Sequence, residues 1–375
     1  MESTGHIPRT SGRHAAMPAR RSTRRVLGIA TAVVLIGAGG AVAGQRLLSA
    51  HCHNGASCGA VSRKASSPPP PLSGRVIAPA VDGLRGPSAL AAADGRLWIT
   101  NVLGNSVTEL SAAGGTHLAT LTSGRYKFRG PNASVIGGGR LWVANVPANS
   151  VTEINASNGR LERTLGSRYG FSSPYALALS GDRLWVANAG DNSVTAIRAR
   201  TGKPLATLTG RRYHFDDPYA LAVSAGRLWV ANAGSRSVTE INARTGAWVA
   251  TLSAGYRLND PAALAADGGT LWVASSAGDS LTEIDTATGR LVRTVGGRRY
   301  GLDDPAALAL AGGHLWIANA LGDSVTEISA RTGALLRVVT GHGYGFSNPG
   351  GLVVAGPYLW VSNLGSDSVT RLQIG

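Results

Sequence analysis

Six segments of the 375-residue chain set a tyrosine at intervals of 43 or 44 residues, five of them beside arginine: RYKFRGP, SRYGFSSP, RRYHFDDP, GYRLNDP, RRYGLDDP and GHGYGFSNP. Their tyrosines are Tyr126, Tyr169, Tyr213, Tyr256, Tyr300 and Tyr344, and the cations beside them are Arg125, Arg129, Arg168, Arg211, Arg212, Arg257, Arg298 and Arg299. A guanidinium holds phosphate or carboxylate through parallel N–H donors, and a flat ring beside it can stack on a base or sugar, so this set points to an anionic ligand. A structural reading competes with it. Each Tyr-x-[Phe/Leu] could plug a gap in the fold, with the arginines paired to Asp216, Asp217, Asp303 and Asp304.

Groups able to do covalent or metal chemistry are sparse. His117, His214, His314 and His342 fall at unrelated places in the repeat, and no H-E-x-x-H pair occurs. Gly55-Ala56-Ser57-Cys58-Gly59 matches the G-x-S-x-G string but sits in a Ser/Pro-rich stretch, without the strand and helix that build a nucleophile elbow. Cys52 and Cys58 could close a small disulfide loop in an oxidising compartment; His51 and His53 beside them lack a second spaced pair for metal. NARTGAW, from Asn242 to Trp248, resembles one turn of a quinone-docking repeat but occurs once, so Trp248 reads as an outer-strand packing residue. The expectation is a protein without cofactor or metal, leaning away from catalysis.

The elements that position these residues repeat. A Leu-Trp pair recurs with Trp at 98, 142, 185, 229, 272, 316 and 360, a period of 43 or 44 residues that matches four-stranded propeller blades. Each unit alternates β-branched and small residues, with Gly or Pro about every seven residues, which excludes helix. In the third unit the pattern predicts strand A over 175–180, B over 183–188, C over 193–199 and D over 204–208. Strand A is rich in alanine, as the crowded axis of a ring demands, and a Pro precedes it in every copy, from Pro87 to Pro349, where the missing N–H costs no ladder bond. The Asn ending strand B, replaced once by Ser275, is expected to cap the B-to-C turn. The seventh copy has strand C over 368–374 and no D, while RVIAPA over 75–80 precedes the first copy at the D position. That N-terminal strand can close the ring and remove an unpaired apolar edge. The predicted fold is all-β: a monomeric seven-bladed β-propeller of four-stranded antiparallel blades.

The copies L-W-[VI]-[AT]-N-x-x-x-[ND]-S-[VL]-T-E-I-[DN]-x-x-T-G resemble the YVTN-type β-propeller repeat, close to NHL-like, virginiamycin B lyase-like and quinoprotein-like propellers. They depart from the family's own tetrad in carrying Leu-Trp-Val-Ala-Asn where Tyr-Val-Thr-Asn would stand. The resemblance implies the fold over about 300 residues, but it spans envelope proteins, sensors, a nucleic-acid binder and a few enzymes. It implies that a lyase of this kind would use a His and a Glu around a metal.

Charge separates the propeller from what precedes it. Of 36 basic and 21 acidic residues, 9 and 1 fall in residues 1–74, so the remainder has 27 basic against 20 acidic. Arg20, Arg21, Arg24 and Arg25 abut an uncharged run from Val26 to Gly44, which as a helix spans roughly 28 Å, about a bilayer's hydrocarbon core. The organisation expected is a cytoplasmic basic segment (1–25), a transmembrane or signal helix (26–44), an exported Ser/Pro-rich linker (45–74) and the propeller (75–375). The positive-inside rule sets the propeller outside the cytoplasm, membrane-tethered if the helix is kept and secreted if it is cleaved after Ala43. Arg24-Arg25 only partly matches a twin-arginine signal, since Gly28 stands where a bulky apolar residue belongs.

Three functions fit: a non-catalytic binding or scaffold module for a protein or anionic glycopolymer; a binder of polyanions, nucleic acid or glycan, through the Arg/Tyr ring; and a metal-dependent lyase of the virginiamycin B type.

Overall fold

The computed structural model describes residues 71–77 and 83–375. The expected helix from Val26 to Gly44, Cys52, Cys58 and the linker as far as residue 70 lie outside them, as do residues 78–82. Among the described residues no helix is long and apolar enough to cross a membrane.

Seven four-stranded antiparallel sheets follow one another along the chain, each with its strands A to D in sequence order except the last. In blade 3 these are Pro174–Ser180, Arg183–Asn188, Ser193–Arg198 and Pro204–Leu208, within one residue of the pattern read from the sequence. Blade 7 takes its outer strand from the start of the propeller: Gly74–Ile77 pairs antiparallel with Ser368–Gln373, from Gly74 opposite Leu372 to Ile77 opposite Val369. Ile77 is 6% exposed and joins the core cluster of Leu90, Leu97, Leu110 and Trp360, so the closing strand binds blade 7 to blade 1.

The apolar alternation determines where the core lies. All seven strand-B tryptophans are buried, and each core cluster draws on two adjacent blades; Trp185 of blade 3, for example, packs with Leu221, Leu228, Val230 and Ile241 of blade 4. Burying an indole of roughly 200 Å² contributes about 5 kcal/mol as an upper estimate. At the axis, alanines 89, 133, 176, 220, 263 and 307 are at most 1% exposed. The seventh copy has Gly351 there, because a Cβ would strike the carbonyl oxygen of Ser88 on blade 1.

Each Pro opens strand A beside a bulge. Pro174 pairs with Asn188 and Ala176 with Ala187, so Tyr175 is the extra residue, and the same shift follows Pro131, Pro218, Pro261, Pro305 and Pro349. In blade 1 the irregularity is longer, from Pro87 to Leu90, and the Thr100 hydroxyl takes the free Ala89 N–H at 2.9 Å.

Candidate functional site

Five D-to-A connections make a turn of helix or 3-10 helix, and that of Tyr256 makes a plain turn; each drops its tyrosine into the seam between blades. The hydroxyls of Tyr126, Tyr169, Tyr213, Tyr256 and Tyr300 donate to the carbonyls of Gly159, Gly202, Gly246, Gly289 and Gly333, in the C-to-D turn of the following blade, at 2.6–3.1 Å. Tyr344 donates to Leu72, just before the closing strand, at 2.9 Å. In return a strand-C threonine of the next blade donates to the tyrosine's own carbonyl: Thr152 to Tyr126, Thr239 to Tyr213, Thr282 to Tyr256, Thr326 to Tyr300 and Thr370 to Tyr344. Phe128, Phe171, Phe215 and Phe346 stack on the tyrosine two residues earlier. The tyrosine hydrogen bonds hold the rings between neighbouring blades, against the C-to-D turns of the outer strands.

The arginines follow their tyrosines outward. Arg125, Arg168, Arg212 and Arg299 lie over the neighbouring ring, 4.8–5.9 Å from its centroid, and Arg168 and Arg299 also donate to the hydroxyl. Arg129, Arg211, Arg257 and Arg298 are exposed on the same loops. Among the described residues, ion pairs lie on the sheets, where buried Glu109, Glu153, Glu240, Glu283 and Glu327 of strand C meet Arg96, Arg140 with Arg163, Arg227, Arg293, and His314 with Arg337, and at an A-to-B turn, where Asp182 meets Arg198. Burial raises the Glu153, Glu240 and Glu283 carboxyls above their ordinary value despite these cations.

The B-to-C turns face the same loops. The strand-B asparagine does hold this turn: Asn188 Nδ2 donates to the Ser193 and Thr195 hydroxyls, both at 3.0 Å, and Asn101, Asn145, Asn232, Asn319 and Asn363 repeat the pattern. Four residues after the strand-B position, a left-handed Asn or Asp accepts the backbone N–H of the residue before the next blade's Pro. Asn105 takes Gly130, Asn149 Ser173, Asn192 Asp217, Asp279 Asp304, Asp323 Asn348 and Asp367 Gly86, at 2.6–2.9 Å. Blade 4 breaks the series, since Arg236 occupies that left-handed position (φ 53°) and has no acceptor to offer Asp260.

At the loop-face end of the innermost strands stands the bulged residue after each Pro, a position the sequence reading passed over; of the seven, Tyr175 and Tyr219 reach solvent. The position's variability between copies was the available signal: Ser88, Asn132, Tyr175, Tyr219, Ala262, Ala306 and Gly350. The first two are buried and linked, the Ser88 hydroxyl donating to the Asn132 carbonyl at 2.8 Å. Tyr175 and Tyr219 are half-buried, with ring centroids 4.4 Å apart and hydroxyls 3.0 Å apart. Beside them the residues before the Pro are Asp217, Asp260 and Asp304 on blades 4 to 6. Burial first, then Tyr175, Asp260 and Asp217, push the Tyr219 hydroxyl well above its ordinary value, so it stays protonated at neutral pH. Burial and its acidic neighbours Asp260, Asp279 and Asp303 raise the Asp304 carboxyl. The loop face is thus zoned, with aromatic and carboxylate groups at the innermost strands and guanidiniums on the outer seam.

The opposite face, formed by A-to-B and C-to-D turns, carries clefts between blades. One of about 430 Å³ lies at the closure seam, along residues 92–96, 112–113 and 354–358; another, about 660 Å³, lies between blades 2 and 3 over Trp142 and Leu179. Among the described residues no group of three His, Cys, Asp or Glu side chains is placed to hold a metal ion.

No protein-family model and no curated protein matches the chain. Solved structures do. A streptogramin B lyase superposes with a TM-score of 0.68 at 14% identity, covering 81% of this chain and 98% of that one. Virginiamycin B lyase from Staphylococcus aureus gives 0.66 at 15% identity over 80% and 99% of the two chains. Hydrazine synthase from Kuenenia stuttgartiensis gives 0.64 at 19% identity over 77% and 96%. Likeness at this identity establishes the seven-bladed propeller, as the repeat resemblance implied, and no reaction.

Proposed function

We propose that the chain is a non-catalytic binding module, held outside the cytoplasm by the segment from Val26 to Gly44, whose propeller presents its loop face to a protein or cell-surface glycopolymer. The observation that carries this reading is the Tyr175–Tyr219 pair: two half-buried rings at the loop-face end of the innermost strands, where the other copies have small or polar residues. Rigid aromatic surface beside hydrogen-bonding hydroxyls binds sugar rings and peptide side chains at little entropic cost. The test is binding of the full chain to immobilised cell-wall glycopolymer, compared with the Tyr175→Ala/Tyr219→Ala variant. Loss of binding in the variant at an unchanged melting temperature supports the module. Equal binding by both, or metal-dependent turnover of a lactone substrate, overturns it.

A second reading is favoured by the zoning of charge. The exposed guanidiniums of the outer seam, from Arg125 round to Arg299, suit an extended polyanion such as nucleic acid or an anionic glycan. Changing Arg211, Arg212, Arg298 and Arg299 to Glu should abolish salt-sensitive binding to heparin or single-stranded DNA; binding that persists with the same salt slope removes this reading.

A further inference from the structure

Blade 3 breaks the ion-pair pattern that its neighbours keep. A cation opens strand B in five blades, and in four of these it meets the strand-C glutamate: Arg96 with Glu109, Arg140 with Glu153, Arg227 with Glu240 and His314 with Glu327. In blade 3 the cation is Arg183 and the strand-C residue is Ala196, opposite Trp185. The outer-strand position that supplies Arg163 in blade 2 is Ala206 here. The guanidinium therefore lies half-buried over the Trp185 ring, 5.3 Å from its centroid, with no carboxylate in ion-pairing range among the described residues.

The ladder adds a second observation. Residues directly opposite this position across strands B and C are neutral or acidic in every other blade: Ser111, Asn155, Asn242, Asp285, Ser329 and Gln373. In blade 3 Arg183 faces Arg198. Like charges in direct cross-strand register destabilise a sheet. Asp182 is the acid at hand and pairs with Arg198, not with Arg183, while Arg200 and Lys203 add positive charge in the adjoining turn. That carboxylate already accepts the Arg200 N–H at 2.7 Å and stands 3.5 Å from Arg198. Burial, and then Arg198, weaken the hold of Arg183 on its proton.

We propose that Arg183 and Arg198 form an anion site, taking a phosphate or carboxylate group of a ligand into the place that the repeat elsewhere gives to its own glutamate. The site lies on the sheet edge toward the A-to-B turn, apart from the Tyr175–Tyr219 pair, so it stands or falls independently of the binding reading above. An oxyanion there would accept N–H donors from two opposed guanidiniums and remove their repulsion, which a single surface arginine cannot do.

The test uses the full chain, with inorganic phosphate and acetate as probes at constant ionic strength, read as the melting temperature against probe concentration. The wild type should show a saturable rise. Ala196→Glu supplies the missing carboxylate internally, so its melting temperature should start higher and its apparent probe affinity fall at least tenfold; Arg183→Gln should lose the response from the other side and keeps the test open if the glutamate variant folds poorly. A response to phosphate alone identifies a phosphate-bearing ligand, and a response to both probes a carboxylate-bearing one. No saturable rise in the wild type, or the same rise in Arg183→Gln, overturns the site.

Discussion

Replacing Ile77 by Ala tests whether the ring is held shut by a strand from the far end of the propeller. Ile77 is 6% exposed, sits against Gly115 of blade 1 and the Trp360 ring of blade 7, and stands two residues from Arg75, which reaches the Gly114 carbonyl at 3.2 Å. Removing its three terminal carbons from a packed seam costs about 2–5 kcal/mol, lost transfer energy and residual cavity together. A propeller of some 300 residues has an unfolding entropy near 0.6 kcal/mol per kelvin, so a loss of about 3 kcal/mol lowers Tm by roughly 5 °C. The neighbouring Val76 is the control: it is 37% exposed, and its truncation to Ala should cost under about 1 kcal/mol, or less than roughly 2 °C. Calorimetry of the full chain gives both values. Hydrogen exchange gives the location, because protection should fall first at Val369 to Leu372, the partners of this strand. If Ile77→Ala melts within a degree of wild type, or Val76→Ala costs as much, closure by this strand does not hold the ring together.

Blade 4 offers the opposite experiment. Arg236→Asn installs a residue that tolerates the left-handed backbone and supplies the acceptor missing opposite Asp260, so it should add about 1 kcal/mol, seen as a higher urea midpoint at unchanged m-value. The buried glutamates predict the sign of one pH dependence. Burial raises the folded-state pKa of Glu240 above 4.5, so its contribution is fully present below the unfolded value and is lost as pH rises through the folded one. Between pH 4.5 and 7 the stability of wild type relative to Glu240→Gln should therefore fall, measured as paired denaturant midpoints; a flat or rising difference contradicts the assignment.

The period of the Leu-Trp pairs, the alternation within strands and the turn residues between them are local properties of the chain, and they determined the seven blades, most strand bounds and the closing strand before any coordinate. Local pattern suffices there because each strand's partners are its sequence neighbours, apart from Gly74–Ile77. The tyrosines show where it stops sufficing. A D-to-A connection runs from the outermost strand of one blade to the innermost of the next, so a tyrosine in it has both the inner and the outer strands within reach. Only the packing of neighbouring blades directed Tyr213 to the Gly246 carbonyl and left the innermost strand ends to Tyr175 and Tyr219. The same holds for charge. The alanine at 196 is plain in SVTAI beside the SVTEI of other copies, but its consequence needs the ladder that sets Arg183 against Arg198. Composition counts charges, whereas register and burial decide which of them go unanswered.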